Sequence, residues 1–261
     1  MQTISTNINQ AIADFKNIKD KIIECGVNIA DGTPTSEYAT KVNEVFEAGK
    51  AQGGGDGAGL FYYASRLNNA FGGVDFPEDT NFVLTTKNII DCGYMFNNSH
   101  NLKTVKLVNE TLDTVLNMTA FCAIGNNSTP YVEMVDLSGF NKQYNATRNM
   151  FAFQAKLKSI IGAMDLTYCT DALHMFRNNF ALEDVEFVEG TISVSIDLKS
   201  CSSLSAESLH SIVKGLSDTV SGQTLTLTKE STIRTTFDAV YGEGAWDTLV
   251  ASKSNWTIAY N

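Results

Sequence analysis

The chain has only three histidines in 261 residues, His100, His174 and His210, and none stands in an HExxH pattern or beside a second histidine four residues on. A helical zinc site needs such a pair on one face, so polar turn or helix positions are expected for His100 and His174. Cysteine is sparse as well. There are five, an odd number without a close pair, which leaves neither a disulfide framework nor a CxxC metal site. Cys92, Cys122, Cys169 and Cys201 are expected as small buried apolar residues. Basic residues are in deficit, with Lys plus Arg at 19 against Asp plus Glu at 29. A phosphate-backbone partner needs clustered Lys and Arg to displace counterions, so no nucleic acid is expected. No apolar run is long enough to cross a bilayer, and no membrane insertion is expected. The opening MQTISTNINQAIADF lacks a basic start followed by an apolar stretch, which points to synthesis in a reducing cytoplasm.

Catalytic motifs are missing too. The run GGGDGAG, residues 53–59, contains neither GxGxxG nor GxxxxGK[ST], and without the lysine it is a flexible linker and not a phosphate loop. There is no GxSxG, and SIVK at Ser211–Lys214 spells SxxK without its partner motifs. Asp184 and Glu186 alternate along one strand face. Paired carboxylates do acid–base work only where a pocket raises one pKa, so a solvated face is the simpler reading. No catalytic, cofactor-binding or metal residue is therefore assigned, no cofactor is implied, and the chain is not expected to be an enzyme.

What the sequence does contain is a repeated phrase. Met95 to Leu107 reads MFNNSHNLKTVKL, and Met175 to Phe187 reads MFRNNFALEDVEF. After Phe96, apolar residues fall at offsets +6, +9 and +11 (Leu102, Val105, Leu107), and after Phe176 at the same offsets (Leu182, Val185, Phe187). The copy opening at Phe151 keeps Leu157 and Ile160 but has Gly162 third. A fourth opens at Phe121 and needs a few extra residues before Val132, Val135 and Leu137 restore the spacing. The openers are separated by 25, 30 and 25 residues, a period that marks a solenoid of stacked units. Each unit contributes a short strand, expected near 102–107, 132–137, 157–161 and 182–187. Residues such as Val105 and Leu107 then face inward, and Thr104 and Lys106 outward. Because one unit cannot bury its apolar face alone, neighbours must stack. The stretches LFYYASRLNNAFGGVDFPED and SAESLHSIVKGLSDT look like atypical terminal units. Leu204, Leu209, Ile212, Val213 and Leu216 predict a longer helix in the second, and QTLTLT and NWTIAY read as strands.

Residues 1–52 follow another rule. Ile4, Ile8, Ala11, Phe15, Ile18, Ile22 and Cys25 step alternately by four and three, a heptad seam. A second helix is expected around Tyr38, Val42 and Val45. Three heptads are short for an isolated coiled coil, so sister chains or a docking surface must share the burden. The fold class expected is α+β: a two-helix N-terminal segment over 1–52 able to form a coiled coil, the linker at 53–59, and a repeat domain of short parallel strands over 60–261. A seam of Ile4, Ile8, Phe15, Ile18 and Ile22 predicts a homo-oligomer, with a trimer first in order.

The phrase MFxNxxxLxxVxF resembles the BspA-like class of bacterial leucine-rich repeats, over roughly residues 90–190. The resemblance implies a right-handed leucine-rich-repeat solenoid used for adhesion or recognition. The segment IIECGVNIADGTPTSEYATKVNEVF resembles the leading part of structural proteins from tailed phages, where a short helical segment attaches a variable distal domain to the particle. Together they imply a non-enzymatic virion protein, made in the host cytoplasm and exposed on the particle exterior as a tail fibre or similar appendage. It would be held to other virion proteins by its N-terminal segment and would display the repeat domain to a host cell-surface glycan or protein. The outward positions Thr104, Lys106, Met134, Asp136, Asp184 and Glu186 are the candidate binding face. Two alternatives stand beside this: a bacterial cell-surface leucine-rich-repeat adhesin, and a decorating virion protein that binds no receptor.

Overall fold

The computed structural model describes residues 67–87, 89–109, 115–123 and 132–261. The seam of Ile4, Ile8, Phe15, Ile18 and Ile22, the second helix and the linker at 53–59 lie outside the described residues. In chain order the elements are β1 (Asp75–Thr86), β2 (His100–Asn109), β3 (Leu116–Asn117), β4 (Met134–Gly139), β5 (Tyr144–Ala146), β6 (Ser159–Ile161), β7 (Ile196–Asp197), α1 (Ala206–Gly215), β8 (Gln223–Leu227), α2 (Glu230–Tyr241), α3 (Ala245–Ala251) and β9 (Trp256–Tyr260). All strand pairs among the described residues are parallel. One sheet runs β1-β2-β4-β6, a second β3-β5 and a third β7-β8-β9. No helix among the described residues is long and apolar enough to cross a membrane.

Strand alternation puts the apolar offsets of the phrase on one side of the first sheet. Val105 pairs with Val135, and Val135 with Ile160. These three are buried, as are Val185 and the residues three positions before each of them, Leu102, Val132, Leu157 and Leu182. Gly162 interrupts the third offset for a local reason. Its φ is +102°, and a Cβ there would sit 2.8 Å from the carbonyl carbon of Leu137 and the amide nitrogen of Ser138. The chain turns against the neighbouring strand too closely for a side chain.

The MF turns are bonded to one another through the backbone. The Phe71 amide donates to the Met95 carbonyl (2.9 Å), Phe96 to Phe121 (2.7 Å), Cys122 to Met150 (2.8 Å) and Phe151 to Met175 (3.0 Å). Each donor therefore bonds the residue just before its counterpart in the next copy, and the counterparts run Phe71, Phe96, Cys122, Phe151 and Phe176. Left-handed residues keep the same register: Asn69, Tyr94, Ala120, Asn149 and His174 lie two positions before these counterparts, and all have φ between 50° and 60°. Two findings follow. The phrase has an additional copy at Phe71, 25 residues before Phe96, disguised by the sequence AFGGVDF. In the second copy the opener is displaced by one residue, because Phe121 takes the place that Met95, Met150 and Met175 hold elsewhere. Its ring nonetheless joins the aromatic column. Phe71 stacks on Phe96 at 5.4 Å, Phe96 meets Phe121 at 5.4 Å, Phe121 meets Phe151 at 6.4 Å, and Phe151 meets Phe176 at 5.9 Å.

A polar column runs beside the aromatic one. Ser99, Gln154 and Asn179, each three residues after its counterpart phenylalanine, are buried. Ser99 Oγ donates to the Phe71 carbonyl, Gln154 Nε2 to the Cys122 carbonyl at 2.6 Å, and Cys201 Sγ, 25 residues beyond Phe176, lies 3.8 Å from the Phe176 carbonyl. The Phe71 and Phe176 carbonyls also accept from the turn amides of Val74 (3.2 Å) and Asn179 (3.3 Å), so the side chains there fill a second acceptor position. Burial pushes the thiols of Cys92, Cys122, Cys169 and Cys201 up, which makes them inert as nucleophiles.

The segment 182–187 differs from the other strand positions. It touches β6 only through isolated bridges, Ser159 to Asp184 and, beyond the strand, Met164 to Phe187. Its other side faces α1. The Val185 amide donates to Ser208 Oγ (2.9 Å) and the Phe187 amide to Ser211 Oγ (2.9 Å). Hydroxyls on a helix thus replace the carbonyls of a next strand, and the first sheet ends there. The helix starts at Ser205, whose side chain accepts from the Ser208 amide, and buries Leu209, Ile212 and Val213. Beyond it, α2, α3 and β7-β8-β9 close the described unit around Phe237 and Trp246, whose rings meet at 5.3 Å.

Candidate recognition surface

The outward side chains of the first sheet form rows, because in-register parallel strands put equivalent residues side by side. Asn81, Thr104, Met134 and Ser159 pair in sequence, and Ser159 bridges to Asp184. In the adjacent row Val83, Lys106, Asp136 and Ile161 pair in sequence. Glu186 lines the same groove as Ile161. The six positions Thr104, Lys106, Met134, Asp136, Asp184 and Glu186 therefore share one face.

They are not equally available. Thr104 is half-buried and its hydroxyl donates to Asn81 Oδ1 at 2.7 Å. Met134 is half-buried between its row neighbours. Asp136 is only 9% exposed, which corrects its reading as an open surface carboxylate. Lys106 Nζ lies 3.0 Å from Asp136 Oδ2, while Ser138 donates to Asp136 Oδ1 through its amide (2.9 Å) and its hydroxyl (2.6 Å). Burial alone would push the Asp136 carboxyl up. The hydrogen bonds from Ser138 and the Lys106 ammonium outweigh it and hold the carboxyl below the usual range. Lys106 and Asp136 thus satisfy each other across the strands, and the open part of the face is its far end.

At that far end Asp184 and Glu186 are exposed, and they line an open groove of about 480 Å³ between β6, the segment 184–186 and α1. The helix and its successor add side chains that the repeat phrase does not announce. Glu207 and His210 come from α1 and Tyr241 from the last turn of α2. Tyr241 is 44% exposed and Ile161 41%. The His210 ring stacks on Tyr241 (5.4 Å, 26°), and Phe237 backs Tyr241 at 4.5 Å. The apolar face of α1 was visible in Leu209, Ile212 and Val213, so the opposite face holding Glu207 and His210 could have been inferred by helical period. Nothing in the sequence places Tyr241 and Ile161 in one groove.

A second depression of about 750 Å³ lies over β3-β5, lined by Asp91, Asn117, Thr119 and Asn145 among others. Asn117 Nδ2 donates to Asp91 Oδ1 at 2.9 Å, and the same aspartate oxygen accepts from the Gly93 amide. Its polar groups serve the turns. Among the described residues, no group of three or more His, Cys, Asp or Glu is arranged to hold a metal ion. Comparison with protein-family models, with curated proteins and with solved structures found no match for this chain.

Proposed function

We propose that the chain is a non-enzymatic structural protein of a phage virion, attached through residues 1–52 and displaying a leucine-rich-repeat solenoid for host-surface recognition. The observation that carries this reading is the in-register outward face of the parallel sheet, a rigid array of side chains built by repetition. Parallel stacking of one short unit gives a broad surface at little cost in sequence invention, the way repeat proteins form binding faces. Support also comes from the resemblance of MFxNxxxLxxVxF to BspA-like repeats and of the DGTPTSEYATKV region to phage attachment segments. A homo-oligomer, with a trimer first, accords with the Ile-rich seam. The mutual pairing of Lys106 with Asp136 favours the second reading, a decorating virion protein without a receptor, for that part of the face.

The test is adsorption to host cells by particles carrying Lys106→Met, Asp184→Asn and Glu186→Gln together. Loss of adsorption with normal particle assembly is the expected result. Normal adsorption would remove this face from receptor recognition and leave the decorating reading.

A further inference from the structure

We propose that the groove at the end of the first sheet binds an arginine side chain presented by an extended loop or peptide of a partner protein. This rests on the reading of the outward face as a recognition surface and names the chemistry of its open end. The groove has carboxylates on two walls, Asp184 and Glu186 from the strand segment and Glu207 from α1. The Asp184 carboxylate has one long contact, at 3.4 Å from Ser205 Oγ, and among the described residues no ion pair is made by Asp184, Glu186 or Glu207. No lysine or arginine lines the groove. Several acids elsewhere are paired: Asp136 with Lys106, Asp171 with Arg148, Glu189 with Lys214, Glu230 and Asp247 with Arg234. Glu78, Glu183 and Glu243 also make no ion pair among the described residues, but the groove gathers three such carboxylates around one depression, in a chain that is acidic overall, with net charge −10.

Its remaining lining is apolar and aromatic. Ile161 and Tyr241 stand 41% and 44% exposed, and Tyr241 is held in place by stacking with Phe237 and His210. A cation with an apolar stem and a flat, weakly hydrated head fits this combination. The stem covers Ile161, the head lies against the Tyr241 ring, and the carboxylates accept its N–H groups. Arginine fits better than lysine because its planar fork can meet two carboxylates at once and stack on an aromatic ring, whereas an ammonium is a compact and strongly hydrated point charge.

The experiment is a titration of the full chain with the peptide acetyl-Ala-Arg-Ala-Arg-Ala-amide, followed by NMR shifts or calorimetry, beside its lysine and citrulline counterparts. The expected order is arginine over lysine, with no binding of the citrulline peptide. Tyr241→Ala weakens arginine-peptide binding about two- to fivefold. The double substitution Glu186→Gln and Glu207→Gln weakens it about tenfold. Glu78→Gln, an exposed acid on β1 outside the groove, leaves it unchanged. These side chains are exposed, so thermal melts of the variants verify that the fold is retained. The proposal is overturned if the groove variants bind as the parent does, or if Glu78→Gln weakens binding as much as they do, since either means diffuse attraction to an acidic chain. It is also overturned if fully deacetylated chitotriose binds the groove more tightly than the arginine peptide, which would make the ligand an amino sugar. Failure here with loss of adsorption in the Lys106, Asp184 and Glu186 variant leaves the recognition reading standing and removes only the arginine assignment.

Discussion

At Gly162 the repeat breaks its own apolar pattern because the backbone of the neighbouring strand occupies the space that a Cβ needs. Alanine there must take a positive φ and push against Leu137 and Ser138, so Gly162→Ala is expected to lower unfolding free energy by at least about 2 kcal/mol. Urea denaturation measures this, and a midpoint equal to that of the parent would contradict the close approach. Two aspartates that are not fully exposed, Asp136 and Asp171, contribute to the acid side of stability. Asp136 is held low by Ser138 and Lys106, and Asp171 by the Leu173 amide and by Arg148, whose Nε lies 2.6 Å from Asp171 Oδ2, in each case against the upward push of burial. Folded-state values below the unfolded aspartate value of about 3.9 mean that their contribution is present above that pH and is lost as pH falls through the folded values. The melting temperature should therefore drop below about pH 4, and Asp136→Asn should make the drop shallower. Equal slopes in the two proteins would remove Asp136 from the account. At this scale the inward residues were legible in the sequence, since Val105, Ile160 and Val185 fall at one offset and Val135 resumes the spacing after the extra residues of the second copy. The pairing of Asp136 with Lys106 was not, because both occupy outward positions and only the register of β2 against β4 makes them neighbours.

Among the elements, α1 decides where the first sheet ends. A strand after 182–187 would offer carbonyls to the Val185 and Phe187 amides, but Ser208 and Ser211 on the helix accept from them instead. Ser208→Ala leaves the buried Val185 amide without a partner and should cost about 1–3 kcal/mol. Faster hydrogen exchange at Val185, with β2 unaffected, is the accompanying signature, and unchanged protection at Val185 would mean that the helix does not terminate the sheet in this way. The helix was legible from its apolar spacing, and the strands from theirs. Two things were not. The copy at Phe71 lacks the methionine and is followed by two glycines, so the phrase is unrecognisable there although the turn geometry is the same. The second copy reads out of step by one because Phe121 looks like the opener, whereas Cys122 holds the opener's backbone position. A composition pattern records side chains, and the repeat is conserved here in backbone hydrogen bonds and in left-handed residues two positions before each opener.

For the molecule as a whole, repetition explains why a stable unit can carry an outward face whose side chains differ from copy to copy, as Asn81, Thr104, Met134 and Ser159 do. The inward columns of aromatic, aliphatic and carbonyl-bonding polar residues hold the units together, so the outward rows, the Lys106–Asp136 pair apart, bear little of the stability and are open to other use. The proposed use is display on a particle, with residues 1–52 as the attachment and the repeat domain as the exposed part. Deletion of 1–52 is expected to leave a monomeric repeat domain in light scattering, and an unchanged oligomer would move the assembly contact into the repeats. The most direct test of the account is the position of this chain in an intact phage particle. Antibodies raised against residues 67–261 and imaged by electron microscopy should label the outside of purified particles at defined sites, and particles assembled with a chain lacking 1–52 should carry no label. Purified particles that contain none of this protein, or that bind the antibody only after disruption, would contradict it.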